Sequence, residues 1–283
     1  MIRGWYTGAS GMRAQQWRLD AVANNLANVD VNGYKKDYIV HKAFPELLLR
    51  RMGDDGVYRH PFGSGDAAPI IGRLGTGVEL NELFTDFSKG PMKETEHDFD
   101  LALDGKGFFS VSTPLGERYT RNGAFILGKE GFLETKDGFP VLGEQGPIRV
   151  KANNFIVDKE GGVWINREYA DEADVMVGRE DNEWGDIVLL DTLKIVNFDT
   201  ERYLEKQGTS LYRTNEISGP AEIMDALARP RVVQGFVEAA NVDPVLEMVQ
   251  MIEVNRAYEA NQKVIQAEDS MLGTLINQVA RVS

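Results

Sequence analysis

This 283-residue chain has three histidines (His41, His60 and His97) and no cysteine, which thins the usual stock of catalytic bases and metal ligands. The absence of thiols excludes disulfides, thiolate metal sites, iron–sulfur clusters and cysteine nucleophiles. His41 and His60 stand outside any metal-ligand spacing and read as solvated loop residues. His97, between Glu96 and Asp98, reads as a surface residue. Asp98, Asp100 and Asp104 gather near Gly105, but without the EF-hand order and its terminal glutamate. Gly72, Gly75 and Gly77 are spaced G-x-x-G-x-G, which is not the dinucleotide fingerprint, and no Gly-Lys-Ser/Thr phosphate loop occurs. Paired carboxylates could serve glycoside hydrolysis. Among 44 acidic residues such pairs carry no specificity. The expectation is a protein without catalytic residues, cofactor or metal.

The charge balance points the same way. With 31 basic and 44 acidic side chains, the formal charge is −13. Such a surface repels phosphate backbones, so nucleic acid is not an expected partner. The longest apolar runs, such as Ile187 to Leu190, fall far short of the roughly 18 residues of a spanning helix, so no membrane insertion is expected. The opening Met1-Ile2-Arg3-Gly4-Trp5 lacks the apolar core of a secretory signal, so no cleavable export signal is expected.

The charge is unevenly spread. Residues 1–36 carry five basic and two acidic groups, and residues 244–283 carry three and five, which leaves −14 on the middle. Of 29 glycines, 24 lie between 37 and 243, as do nine of the ten prolines. Glycine and proline punctuate turns and break helices, so the middle is expected to be β and the ends helical. Asp104-Gly105, Glu130-Gly131, Asp137-Gly138 and Glu160-Gly161 are turn dipeptides separating short apolar runs. Their spacing of about ten residues suggests an antiparallel sandwich or barrel-like middle. Residues 50–77, rich in glycine with Pro61 and Pro69, read as an extended or loop-like connector. Residues 171–186 read as an acidic surface excursion.

Both ends carry a seven-residue apolar rhythm. Ile2, Trp5, Ala9, Met12, Gln16, Leu19, Ala23 and Leu26 alternate three and four apart. So do Met251, Val254, Tyr258, Asn261, Ile265, Glu268, Leu272, Leu275, Val279 and Val282. This is the a/d stripe of a coiled-coil seam, although a stripe packed on a globular core has the same period. Asp243 suits the cap of the second helix and Pro244 its first position. Gly4, Gly8 and Gly11 are costly in a helix unless another backbone comes close, or unless the first turns fray. The expected fold is α+β: paired N- and C-terminal coiled-coil-like helices (1–35 and 236–283), an extended connector (36–77) and a central, mostly antiparallel β-domain (78–235).

The segment Ala23-Asn24-Asn25-Leu26-Ala27-Asn28-Val29-Asp30-Val31-Asn32-Gly33-Tyr34-Lys35-Lys36 closely resembles the N-terminal signature of the flagellar rod and hook family, with Thr7-Gly8-Ala9-Ser10-Gly11-Met12 upstream. Gly235-Phe236-Val237-Glu238-Ala239-Ala240-Asn241-Val242-Asp243-Pro244 and Arg256-Ala257-Tyr258-Glu259-Ala260-Asn261 resemble its C-terminal signature. Gly105-Lys106-Gly107-Phe108-Phe109 and Tyr119-Thr120-Arg121-Asn122-Gly123-Ala124-Phe125 are similar to its shared β-domain. The resemblance implies a subunit of the basal-body rod. Such a subunit polymerises with copies of itself and with other rod and hook subunits into a helical tube that transmits torque across the cell envelope. It also implies passage through the flagellar type III export apparatus and residence in the periplasmic rod.

On this reading the assembly contacts are expected from Trp5, Met12, Leu19, Asn24, Asn25, Leu26, Asn28, Met251, Val254, Arg256, Tyr258, Asn261, Ile265, Leu272 and Leu275. Asn24, Asn25 and Asn28 either fix register between subunits, as buried amides do in coiled coils, or act locally at a helix end. Gly138-Phe139-Pro140-Val141-Leu142-Gly143-Glu144-Gln145-Gly146-Pro147-Ile148 is more similar to proximal-rod members. Met1-Ile2-Arg3 and Leu74-Gly75-Thr76-Gly77-Val78 are more similar to distal-rod members. Outside this family, the β-rich acidic middle also fits an extracytoplasmic carbohydrate-binding or carbohydrate-hydrolysing protein.

Overall fold

The computed structural model describes residues 2–51, 57–60, 63–66, 70–152, 154–167, 187–225 and 228–279. The expected acidic excursion at 171–186 and the last stripe residue, Val282, lie outside them. Two helices bracket the chain, α1 (Ile2–Ala27) and α2 (Pro244–Val279). As the proline rule predicts, α2 begins at Pro244. Among the described residues no helix is long and apolar enough to cross a membrane.

Between the helices the chain is β-rich and its measured pairings are antiparallel, so the class is α+β. Six short strands form one sheet in the order Glu205–Gln207, Leu211–Arg213, Gly116–Thr120, Phe108–Thr113, Ile195–Asn197 and Glu222–Ile223. Side chains alternate across a strand, and this strand pattern is used on both faces. Phe109, Val111 and Ile195 point into one core with Leu101, Leu133 and Val163. Their neighbours Phe108 and Val196 enter a second cluster with Tyr119, Phe198, Leu204 and Tyr212. A three-stranded sheet follows, Ile156–Val157, Gly162–Asn166 and Ile187–Thr192.

The expected connector at 36–77 is extended, but its strands are paired. Asp37–Ala43 pairs with Val78–Thr85, Leu47–Arg50 with Ile70–Leu74, and Val57–His60 with Gly63–Asp66, each ladder nested inside the last. Glycine and proline content indicated loops. The partner of each strand lies further along the chain, for Asp37–Ala43 just beyond the stretch, and a composition count does not see that. His41 and His60 accordingly sit in strands rather than loops. The chain divides into two compact units. One comprises residues 1–23, 38–83 and 245–283, and the other residues 24–37 and 84–244.

Two phenols in the second cluster tie stability to alkaline pH. Burial pushes the Tyr119 phenol up to about 12, with the Glu117 carboxylate adding to the effect. Tyr212, fully buried, is also pushed up by burial. Unfolded tyrosine ionises near pH 10. The native state therefore holds protons that the unfolded chain gives up, and stability falls as pH rises from about 10 to about 12. Denaturant titrations across that range should show the midpoint declining, and Tyr119→Phe should flatten the decline.

Candidate assembly interface

The end of α1 carries a knot of polar contacts within the second unit. Asn25 is 2% exposed. Its amide treats the backbone of Asp37 as a strand would: Nδ2 donates to the Asp37 carbonyl at 3.0 Å, and Oδ1 accepts from the Asp37 N–H at 2.9 Å. The Tyr34 hydroxyl donates to the same Oδ1 at 3.1 Å. One turn further on, Asn28 Nδ2 donates to the Asn24 carbonyl at 2.8 Å and to its Oδ1 at 2.6 Å. After Ala27 the chain reverses through turns that end at Gly33, where φ is +68°. A side chain is disfavoured there twice over, because a Cβ would also overlap the backbone of Arg121 and Asn122.

The turn delivers Tyr34 and Lys35 to residues some 200 positions later. Lys35 Nζ, fully buried, donates to Glu238 Oε1 at 2.6 Å and to the Ser88 carbonyl at 2.6 Å. Glu238 Oε1 also accepts the Gly90 N–H at 2.8 Å, and Arg121 Nη1 lies 3.5 Å from its other oxygen. The Gly33 N–H donates to the Glu238 carbonyl at 2.6 Å. Asn241 Oδ1 accepts the Lys36 N–H at 2.8 Å, and its Nδ2 donates to the Asp86 carbonyl at 2.8 Å. Lys206 sits 3.0 Å from Asp37 Oδ2 and 3.9 Å from the centre of the Tyr34 ring. Burial lowers the pKa of Lys35 and of Lys206, against the opposing pull of Glu238 and Asp37 respectively.

The knot joins the two signature segments, 24–36 and 235–243. The amide of Asn25 is spent inside the protomer, and that of Asn28 is spent on its own helix. Asn25→Ala strands the Asp37 N–H and carbonyl in a buried site and removes the shorter contact of the Tyr34 hydroxyl, which keeps its 3.4 Å contact with Asn24 Oδ1. At about 1–3 kcal/mol for a buried group left unpaired, the expected loss is roughly 2–4 kcal/mol, measurable by urea denaturation.

In the first unit, the face of α1 that is buried differs from the expected stripe. Trp5, Ala9, Gln16 and Ala23 are exposed, and Gly8, Ala14 and Val22 are buried. The inward row Gly4, Gly8, Gly11, Gln15 and Val22 runs beside the expected one, of which Met12, Leu19 and Leu26 are half-buried as well. The reason is size, because glycine lets another helix come close. A Cβ on Gly8 would lie 2.9 Å from Ile265 Cγ1, one on Gly11 would lie 3.0 Å from Asn261 Nδ2, and one on Gly4 would overlap the Glu268 carboxylate. Residue numbers fall on α2 as they rise on α1, so these stretches run antiparallel.

Among the other expected residues, Val254 is buried, at 2% exposure. Met12, Leu19, Leu26, Met251, Asn261, Ile265 and Leu272 are half-buried. Trp5, Asn24, Arg256, Tyr258 and Leu275 are exposed. The early part of α2 also presents an apolar surface that the stripe did not include. Val245, Leu246, Met248, Val249 and Ile252 are each about half exposed or more. Reading two faces on that helix, rather than one, would have found them. Lys35, Glu238 and Asn241 lie in the signature segments, but nothing local gives their roles, since each is defined by a partner far away in sequence.

Three family profiles match in order along the chain. Residues 6–35 match "Flagella basal body rod protein", residues 102–165 match "Flagellar hook protein FlgE/F/G D1 domain", and residues 233–278 match "Flagellar basal body rod FlgEFG protein C-terminal". Among curated relatives, a flagellar basal-body rod protein FlgG of Buchnera aphidicola (subspecies Acyrthosiphon pisum) is 33% identical over 280 residues, covering 97% of this chain and 99% of that protein. A flagellar basal-body rod protein FlgF of Caulobacter vibrioides is 32% identical over 286 residues, covering 100% of both. FlgG of Bacillus subtilis is 32% identical over 290 residues, covering 98% of this chain and 99% of that protein. With both signature segments joined in one knot and likeness above 30% along the whole length, the chain belongs to the flagellar basal-body rod protein family and is a structural subunit of that rod.

Proposed function

We propose that the chain polymerises, with copies of itself and with other rod and hook subunits, into a helical tube that transmits torque through the periplasm, and that it occupies the proximal part of the rod. The observation that carries the polymer reading is the outward apolar surface at 245–252 of α2. A contiguous patch of that kind on a subunit marks an interaction surface. An open helical array needs two different surfaces on each subunit. One is this patch. The other lies elsewhere on the terminal assembly domain of residues 1–35 and 236–283, which also carries this patch and whose helices pair in coiled-coil fashion through the glycine face of α1. The connector 36–77 and the β-domain 78–235 complete the subunit.

In this reading the chain does no catalysis. It reaches the rod through the type III export apparatus as an unfolded thread, which the lack of cysteine keeps free of cross-links. The segment 138–148 supports the proximal position. The segment 74–78 favours a distal position as the second reading.

Deleting the gene and imaging basal bodies tests the position. Loss of every structure beyond the inner-membrane ring is the expected result. A rod that survives, shortened at its outer end, would establish the distal position instead.

A further inference from the structure

A cavity of about 620 Å³ opens in the β-rich unit, lined by none of the residues of the two signature segments. Its size lies within the roughly 300–1,000 Å³ of small-molecule sites. Trp164 forms one wall. The register of the three-stranded sheet places Trp164 opposite Ile156 on one side and Leu189 on the other, so the three make an apolar strip across the sheet. Gly162 leaves room for the indole, since a Cβ there would come within 3.1 Å of its Nε1. A second cavity of about 440 Å³ lies along Ile156, Asp158, Trp164 and Ile187. The two cavities share Trp164 and Asp158, so the indole stands between two adjoining hollows.

The rest of the larger cavity is polar. Glu144, Asp158, Glu160 and Asp225 line it with a single cation, Arg229. The Arg229 side chain is 6% exposed and held in place. Its Nη2 donates to Glu144 at 2.7 Å and to the Met224 carbonyl at 3.2 Å, and its Nη1 donates to the Glu160 carbonyl at 3.3 Å. Its Nε–H is buried without an acceptor. A native fold rarely leaves such a donor unpaired, and this one lies in the wall of the cavity.

An aromatic plate flanked by two hollows, ringed by hydrogen-bond acceptors and set with one fixed arginine and, in the smaller hollow, Lys159, matches a particular chemistry. Sugar rings have an apolar face of C–H groups that lies on an aromatic ring, and hydroxyl groups that donate to carboxylates. Excess negative charge rejects acidic ligands. Ile223 and Met224 beside the plate offer an apolar seat for a methyl group, such as that of an acetamido substituent. We propose that this cavity binds a neutral oligosaccharide of N-acetylated hexosamine units, with Trp164 as the stacking platform and Asp158 as the acceptor shared between neighbouring rings. The role is binding only.

Titrating the full-length chain with tri-N-acetylchitotriose, maltotriose and trilysine, by calorimetry and by the NMR signals of Trp164 and Gly162, tests this. Expected is saturable binding of chitotriose, weakened roughly tenfold by Trp164→Ala and by Asp158→Asn. Tenfold is 1.4 kcal/mol, near the upper end of what one aromatic contact supplies. Trp164→Phe keeps a platform and should retain most of the affinity, and Asp225→Asn, at an exposed position, covers the case in which Trp164→Ala fails to fold. No saturable binding of chitotriose overturns the proposal. Binding of trilysine alone also overturns it and assigns the acidic hollow to a cationic protein segment.

Discussion

Glu238→Gln should lower the stability of the β-rich unit by about 3–5 kcal/mol, the cost of removing one partner from a buried ion pair. The wild-type carboxylate faces two cations that are themselves buried: Lys35, wholly inaccessible, and Arg121, 3% exposed. The amide keeps an acceptor for the Gly90 N–H but supplies no charge. Lys35 can respond by releasing its proton, because burial already lowers its pKa. Arg121 cannot do so in any accessible pH range. Against a total stability of roughly 5–15 kcal/mol for an ordinary domain, the loss is large. It corresponds to a fall in melting temperature on the order of 10 °C. A double-mutant cycle adding Lys35→Met separates the pair from its surroundings. Removing the lysine in the Glu238→Gln background should recover part of the loss, since one stranded cation is then gone. Additive losses would mean that the two residues act independently, contrary to their 2.6 Å contact.

Removing residues 1–23 should abolish polymerisation and leave the β-rich unit folded, whereas removing residues 1–30 should unfold part of it. The difference comes from seven residues. The cut at 23 falls between the two compact units. It takes away the glycine face against Asn261 and Ile265 but spares Asn25, Tyr34 and Lys35. The longer deletion also removes the Asn25 amide that pairs with the backbone of Asp37. Assembly is read by sedimentation or electron microscopy. Folding of the β unit is read by the near-ultraviolet signal of its aromatic cluster, in which Phe108 lies edge-on to Phe198 and Tyr212. Filaments formed by the 24–283 fragment would exclude α1 as an assembly element. Equal folding of both fragments would remove the structural role given to Asn25.

The asparagines of the N-terminal signature show where a sequence pattern stops being sufficient. Asn25 and Asn28 stand three residues apart, one in the last turn of α1 and the other just past its end, and either could serve another subunit or its own chain. The choice depends on whether an acceptor and a donor lie within 3 Å, and for Asn25 these come from Asp37, after a reversal of the chain. Expected contacts such as Trp5 and Leu275 remain exposed, so they stay available to neighbours. Val254 does not, because it is buried within its own unit.

Local chemistry alone determined that the ends are helical, that the middle turns often enough to be β, and that no thiol chemistry occurs. Those properties depend on the backbone preferences of glycine, proline and apolar residues at fixed spacing, and each is written within a window of a few residues. The glycines of α1 marked a close approach in advance, and tertiary structure decided that α2 makes it. The apolar rhythm marked Trp5, Met12 and Leu19, but the closest approach goes to Gly4, Gly8 and Gly11, because close packing rewards the smallest side chains. It also paired the supposed connector into nested ladders and brought Lys35 to Glu238 across 203 positions. The hollow beside Trp164 arose in the same way, from residues of four separate segments. A contact of that kind is set by the whole path of the chain between its partners, so no short stretch of sequence records it.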